Sequence, residues 1–124
     1  MKDILVFVDF MDSETEIPKY KKFLKQFKDI KATITDTPDF DNISKYSHVF
    51  IDFGGLSQPG NSLFSSMCSQ WDKIIVNYPN IYFILISVMG KEWFENDMFK
   101  INETNVLCMA NFADKEEFLK IMEK

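Results

Sequence analysis

Arginine is missing altogether: each of the 14 Lys+Arg cations among the 124 residues is a lysine. Without a guanidinium fork, the chain has no planar bidentate partner for phosphate or carboxylate, so a bound anion must be held by lysine charge, backbone N–H groups or a metal. Histidine is nearly as scarce. The single His48 stands at the start of an apolar run, away from the acids discussed below, and reads as a surface or internally satisfied histidine; no catalytic triad can be built around it. The two cysteines, Cys68 and Cys108, lie inside apolar patterns with no Cys-x-x-Cys or Cys/His spacing, which excludes a structural zinc site and predicts reduced core thiols. Long apolar runs are also lacking. No window reaches the roughly 18 uninterrupted apolar residues of a membrane span, and the chain enters a strand pattern at once rather than a signal peptide, so a cytoplasmic protein without membrane contact is expected. A net charge of -5 argues against nucleic acid, whose phosphates call for a basic face.

What is present is apolar and aromatic. At 46% hydrophobic and 15% aromatic residues, the length suits one domain spanning residues 1–124. Ile4 to Phe10, Ala32 to Thr35, Ser47 to Asp52, Ile81 to Val88 and Asn105 to Met109 read as strands, and most are apolar enough for burial on both faces. Between them come helical spacings. Ile17, Tyr20, Phe23, Leu24 and Phe27 form one stripe, with Pro18 expected in the first turn and Thr15 or Glu16 as the cap; its opposite face carries Lys21, Lys22, Lys25 and Lys28. A short helix is expected over 40–45 and a long one from Leu63 to Tyr78, with Trp71 in its core stripe. An irregular helix follows over 91–99, and a last one is capped by Asp114. Strand alternating with helix predicts an α/β fold: one doubly wound, parallel, five-stranded sheet of the flavodoxin-like kind, in the order 2-1-3-4-5.

In such a sheet ligands bind beyond the carboxyl ends of the strands, between strands one and three. The sequence places Asp9 and Asp12 on one side of that point, Asp52 followed by Gly54 and Gly55 on the other, and Ser87 at the end of the neighbouring strand. Clustered carboxylates repel unless a cation lies between them, so Asp9, Asp12 and Asp52 are candidate Mg²⁺ ligands; equally, acids at strand ends serve as caps and loop solvators. Gly54 and Gly55 could let backbone N–H groups approach a phosphate, although neither the dinucleotide nor the P-loop spacing is present. A flavin or nucleotide site is disfavoured by the acids around Ser13 and Thr15. Trp93 and Phe94, flanked by Lys91, Glu92 and Glu95, are candidates for a partner surface as well as for core packing.

The order of these parts resembles the receiver domain of two-component response regulators. Acids follow strand one (Asp9, Asp12), one acid ends strand three (Asp52), Gly60 opens the next helix, a hydroxyl ends strand four (Ser87), and Phe112 follows strand five. The resemblance implies a phosphoryl-accepting Asp52, Mg²⁺ held by the strand-one acids, and readout through Ser87 and a strand-five lysine. Two departures stand out: Asp9 and Asp12 are not adjacent, and the family's Lys-Pro-Phe appears as Ala110-Asn111-Phe112. Losing that lysine removes the cation that would stabilise an acyl phosphate. The sequence therefore points to a degenerate receiver acting as a non-catalytic regulatory or interaction module. Its expected partner is a protein or a second copy, and its expected cofactor is Mg²⁺ or none. The alternative is Mg²⁺-dependent phosphoryl transfer through Asp52.

Overall fold

The computed structural model describes residues 2–8, 13–37, 39–53, 62–87 and 105–124. Five strands, β1 (Lys2–Phe7), β2 (Ile30–Thr35), β3 (His48–Asp52), β4 (Tyr82–Ile86) and β5 (Val106–Met109), form a parallel sheet in the order β2-β1-β3-β4-β5. Three helices are described: α1 (Ser13–Leu24), α2 (Ser62–Asn77) and α3 (Lys115–Met122). The topology is the receiver-like, flavodoxin-like one expected.

Strand alternation divides the core in two. Leu5 and Phe7, Val49 and Ile51, and Phe83 and Leu85 pack on one face with Trp71, Ile74 and Ile75 of α2. Ile4 and Val6, Phe50, and Ile84 and Ile86 pack on the other with Tyr20 and Leu24 of α1 and with Phe118, Ile121 and Met122 of α3. Both faces are covered, so the central strands read as continuous apolar runs rather than alternating ones. Asp114 caps α3 as expected, its Oδ1 accepting the Glu117 N–H at 3.1 Å.

Two local expectations are corrected. Helix α1 begins at Ser13, so Pro18 lies inside it and removes one i→i−4 bond, a cost outweighed by burying Tyr20 and Leu24. The expected helix over 40–45 is a series of turns. Phe40, Ile43 and Tyr46 sink into the sheet face, while Asp39 Oδ1 accepts the Asp41 N–H at 3.0 Å and so competes with helical bonding. With no helix there, an open groove of about 350 Å³ remains over β1 and β2, lined by Leu5, Phe7, Thr33, Thr35, Asn42 and Ile43 among others. The irregular helix expected over 91–99 lies outside the described residues.

His48 proves to be the satisfied, buried histidine, 1% exposed at the first residue of β3. Its Nε2 lies 3.0 Å from Ile121 O and its Nδ1 2.7 Å from Ser47 Oγ. A carbonyl can only accept, so Nε2 carries the proton and Nδ1 accepts from the serine. The bond to Ile121 O ties the last turn of α3 to the sheet, and Lys2 Nζ donates to the adjacent Met122 O. Met122 O at the helix end thereby gains a side-chain donor, and Ile121 O, which also accepts the Lys124 N–H at 3.1 Å, gains a second one.

Candidate functional site

The register fixes where Asp52 stands. As the last residue of β3 it pairs with Ile86 of β4, and strand alternation assigns it to the face of Phe50 and Ile86, which is the α1 face. Helix α1 delivers Tyr20 to that point. The Tyr20 hydroxyl donates to Asp52 Oδ2, while the phenol ring is 3% exposed and lies edge-on to Phe112, with centroids 4.1 Å apart. Burial above all, then the charge of Asp52 and the hydrogen bond to it, and lastly the charge of Glu16, push the Tyr20 pKa far above the ordinary tyrosine range. Tyr20 therefore keeps its proton throughout the physiological range and acts toward Asp52 only as a neutral donor.

Tyr20 is the residue of this site that the sequence pattern conceals. It occupies an ordinary position in the apolar stripe of α1, between Ile17 and Phe23. The available signal is its polar tip: it is the one member of that stripe with a hydroxyl, and a buried phenol needs an acceptor. Tyr20→Phe keeps the ring and removes the donor. We expect it to cost about 1.5–3 kcal/mol, the usual worth of a bond to an ionised acceptor. Urea unfolding checks this, with a lowered midpoint at unchanged slope.

Ser87 follows β4 and is buried, and its N–H donates to Met109 O at 3.1 Å. Alternation carried one residue past Ile86 gives it the face of Phe83 and Leu85, opposite that of Asp52. The two residues thus end neighbouring strands from opposite faces of the sheet. Phe112 lies in the core beside Tyr20, and Ala110, where the receiver pattern has lysine, is exposed and brings no charge. Asn111 closes a turn, its Oδ1 accepting the Ala113 N–H at 3.0 Å.

Asp9, Asp12, Gly54, Gly55, Trp93 and Phe94 all lie outside the described residues, as does Lys91. Of the three acids expected to hold Mg²⁺, the structure describes Asp52 alone, and its Oδ2 is engaged by a hydroxyl that does not deprotonate. Among the described residues, no three His, Cys, Asp or Glu side chains are grouped as a metal site. Likewise, no helix among them is long and apolar enough to cross a membrane.

No protein-family model matches the chain, and no curated protein matches it in sequence. Among solved structures it is similar to the crystal structure of a "Putative pilus assembly-related protein" from Burkholderia pseudomallei, with a TM-score of 0.65 and 14% sequence identity. That similarity covers 97% of this chain and 87% of the other. At that identity the likeness is one of fold, and it agrees with the sheet order described above.

Proposed function

We propose that this chain is a non-catalytic, protein-binding module built on a receiver-like fold, in which the strand-three acid has become a structural anchor. The observation that carries the proposal is the bond from buried Tyr20 to Asp52 Oδ2. A phosphoryl-accepting carboxylate must present an oxygen to an incoming phosphorus and to a cation. Here one oxygen is engaged by a permanent donor on α1, and Ala110 supplies no ammonium at the end of β5. The pilus assembly-related neighbour agrees with a role in contacts between proteins. On the sequence expectation, Trp93 and Phe94 would contribute a partner surface.

The alternative, Mg²⁺-dependent phosphoryl acceptance, draws on one observation: Asp52 is only half-buried at the carboxyl end of the sheet. Beryllofluoride with Mg²⁺ separates the two, because it mimics an acyl phosphate without needing a turnover. The expected result is an unchanged amide spectrum for residues around Asp52 and Ser87. Saturable shifts there in the wild type, abolished by Asp52→Asn, would overturn the module.

A further inference from the structure

Strand β2 ends the sheet, and its outer side has no partner strand among the described residues. The ladder shows which groups that side offers. Lys2 N–H donates to Asp29 O at 2.9 Å and Val8 N–H to Thr35 O at 2.9 Å, with Lys2 in register with Ile30 and Phe7 with Thr35. The odd-numbered residues of β2 therefore turn their backbone toward β1, and Ile30, Ala32 and Ile34 turn both N–H and C=O outward. Natural edges are commonly blunted by proline, bulges or charge. This one is Ile-Lys-Ala-Thr-Ile-Thr, regular over six residues, rich in β-branched side chains and carrying one lysine, whose own backbone faces inward.

Charge is arranged along the strand with a polarity. Lys25, Lys28 and Lys31 gather at its start, with Asp29 the one acid among them, and Asp36, Asp39 and Asp41 at its end. All are exposed except Asp36, which is half-buried. A parallel partner of the same sequence would set like against like. An antiparallel one sets the lysine end against the aspartate end.

We propose that β2 pairs antiparallel with β2 of a second copy, about a two-fold axis at Ala32, joining two sheets into one. The parity of the outward groups fixes the register: Ala32 faces Ala32 of the partner subunit and Ile30 faces the partner's Ile34, which brings the turn carrying Lys28 to the end of the strand where the partner's Asp36 stands. The outward groups of Ile30, Ala32 and Ile34 then all find partners, and the isologous contact closes. Ile30, Ala32 and Ile34 already pack against the α1 face, so the cross-strand apolar pairs extend an existing core. Lys31 meets the partner's Thr33 and no like charge. This dimer gives the protein-binding module a partner and rests on that reading only for its purpose.

Sedimentation velocity over a hundredfold range of protein concentration tests it. The wild type is expected to shift from monomer to dimer. Ala32→Pro removes an outward N–H and no bond to β1, so it should stay folded by circular dichroism and sediment as monomer. Lys28→Glu and Asp36→Lys should each weaken self-association roughly tenfold by setting like charges across the axis twice. An equimolar mixture of those two variants should recover dimer, since both cross-strand pairs in the mixed species are complementary. A wild type that remains monomeric throughout, or a dimer indifferent to Ala32→Pro and to the charge exchange, would overturn the proposal. Failure here with an inert Asp52 leaves the module standing; a confirmed edge dimer with a beryllofluoride-responsive Asp52 does the reverse.

Discussion

Replacing Phe112 with alanine is expected to cost about 3–5 kcal/mol, the largest loss from any single change proposed for this chain. The ring is 6% exposed and stands at a junction. Tyr20 lies 4.1 Å away, Phe23 5.1 Å, Phe50 5.2 Å and Phe118 5.3 Å between centroids, so it joins α1, β3 and α3 around one aromatic cluster. Its removal leaves a cavity that these large rings cannot collapse into without leaving their edge-to-face geometry. It also takes away the support against which Tyr20 is held for Asp52. Urea unfolding measures the loss; a change below about 1 kcal/mol would show that the cluster repacks freely.

The second large effect is a loss of stability in acid traceable to one residue. Burial above all lowers the His48 pKa from 6.5 to about 4; the nearby Lys2 charge lowers it further, and the bond to Ile121 O opposes both. The sign follows from proton counts. Between pH 6.5 and about 4 the unfolded chain binds a proton at His48 that the folded chain does not, so stability falls as the pH falls through that window. It levels off, for this group, below the folded value. At about 1.4 kcal/mol per unit of separation, the fall amounts to as much as about 3 kcal/mol. His48→Gln supplies an amide N–H for Ile121 O and no titration. Its stability profile should therefore be flatter than the wild type's from pH 6.5 to 4, while carboxylates act alike on both. Parallel profiles would show that His48 is not held neutral.

Much of this architecture is legible in the chain itself, because burial on both faces leaves a plain mark. Ile4 to Phe7, Val49 to Ile51 and Phe83 to Ile86 are uninterrupted apolar runs, and each forms a strand near the expected position. The strand order follows from alternation with helices and from the way connections cross parallel strands. The segment after β2 misleads for a definite reason. Phe40, Ile43 and Tyr46 recur at three-residue intervals as a helix would require, but the preceding Asp39 and the intervening Asp41, Asn42 and Ser44 favour side-chain to backbone turns. Pro18 misleads in the opposite sense. Local propensity sets it at a helix start, whereas the helix begins at Ser13 with Glu14 and Glu16 in its first turn, where acidic side chains suit the helix N-terminus.

The site is legible in position and less so in its partners. Asp52 ends β3 as the apolar run before it implies, and Ser87 follows β4. What no spacing rule supplies is the pairing of Asp52 with a residue 32 positions earlier, across the gap between sheet and helix. A stripe counts apolar surface and is silent on where a phenol's oxygen ends up. The parity that separates Ser87 from Asp52 becomes visible only once the register is known.

The central claim is that Asp52 serves as the acceptor that fixes α1 to the sheet, and a double-mutant cycle between Tyr20→Phe and Asp52→Ala measures it directly. Unfolding free energies of the four proteins give the coupling of the two side chains apart from their other contacts. The expected result is a favourable coupling of about 1.5–3 kcal/mol, with the two single changes costing more in sum than the double change. Strictly additive losses would contradict it and would return Asp52 to the list of carboxylates available for chemistry.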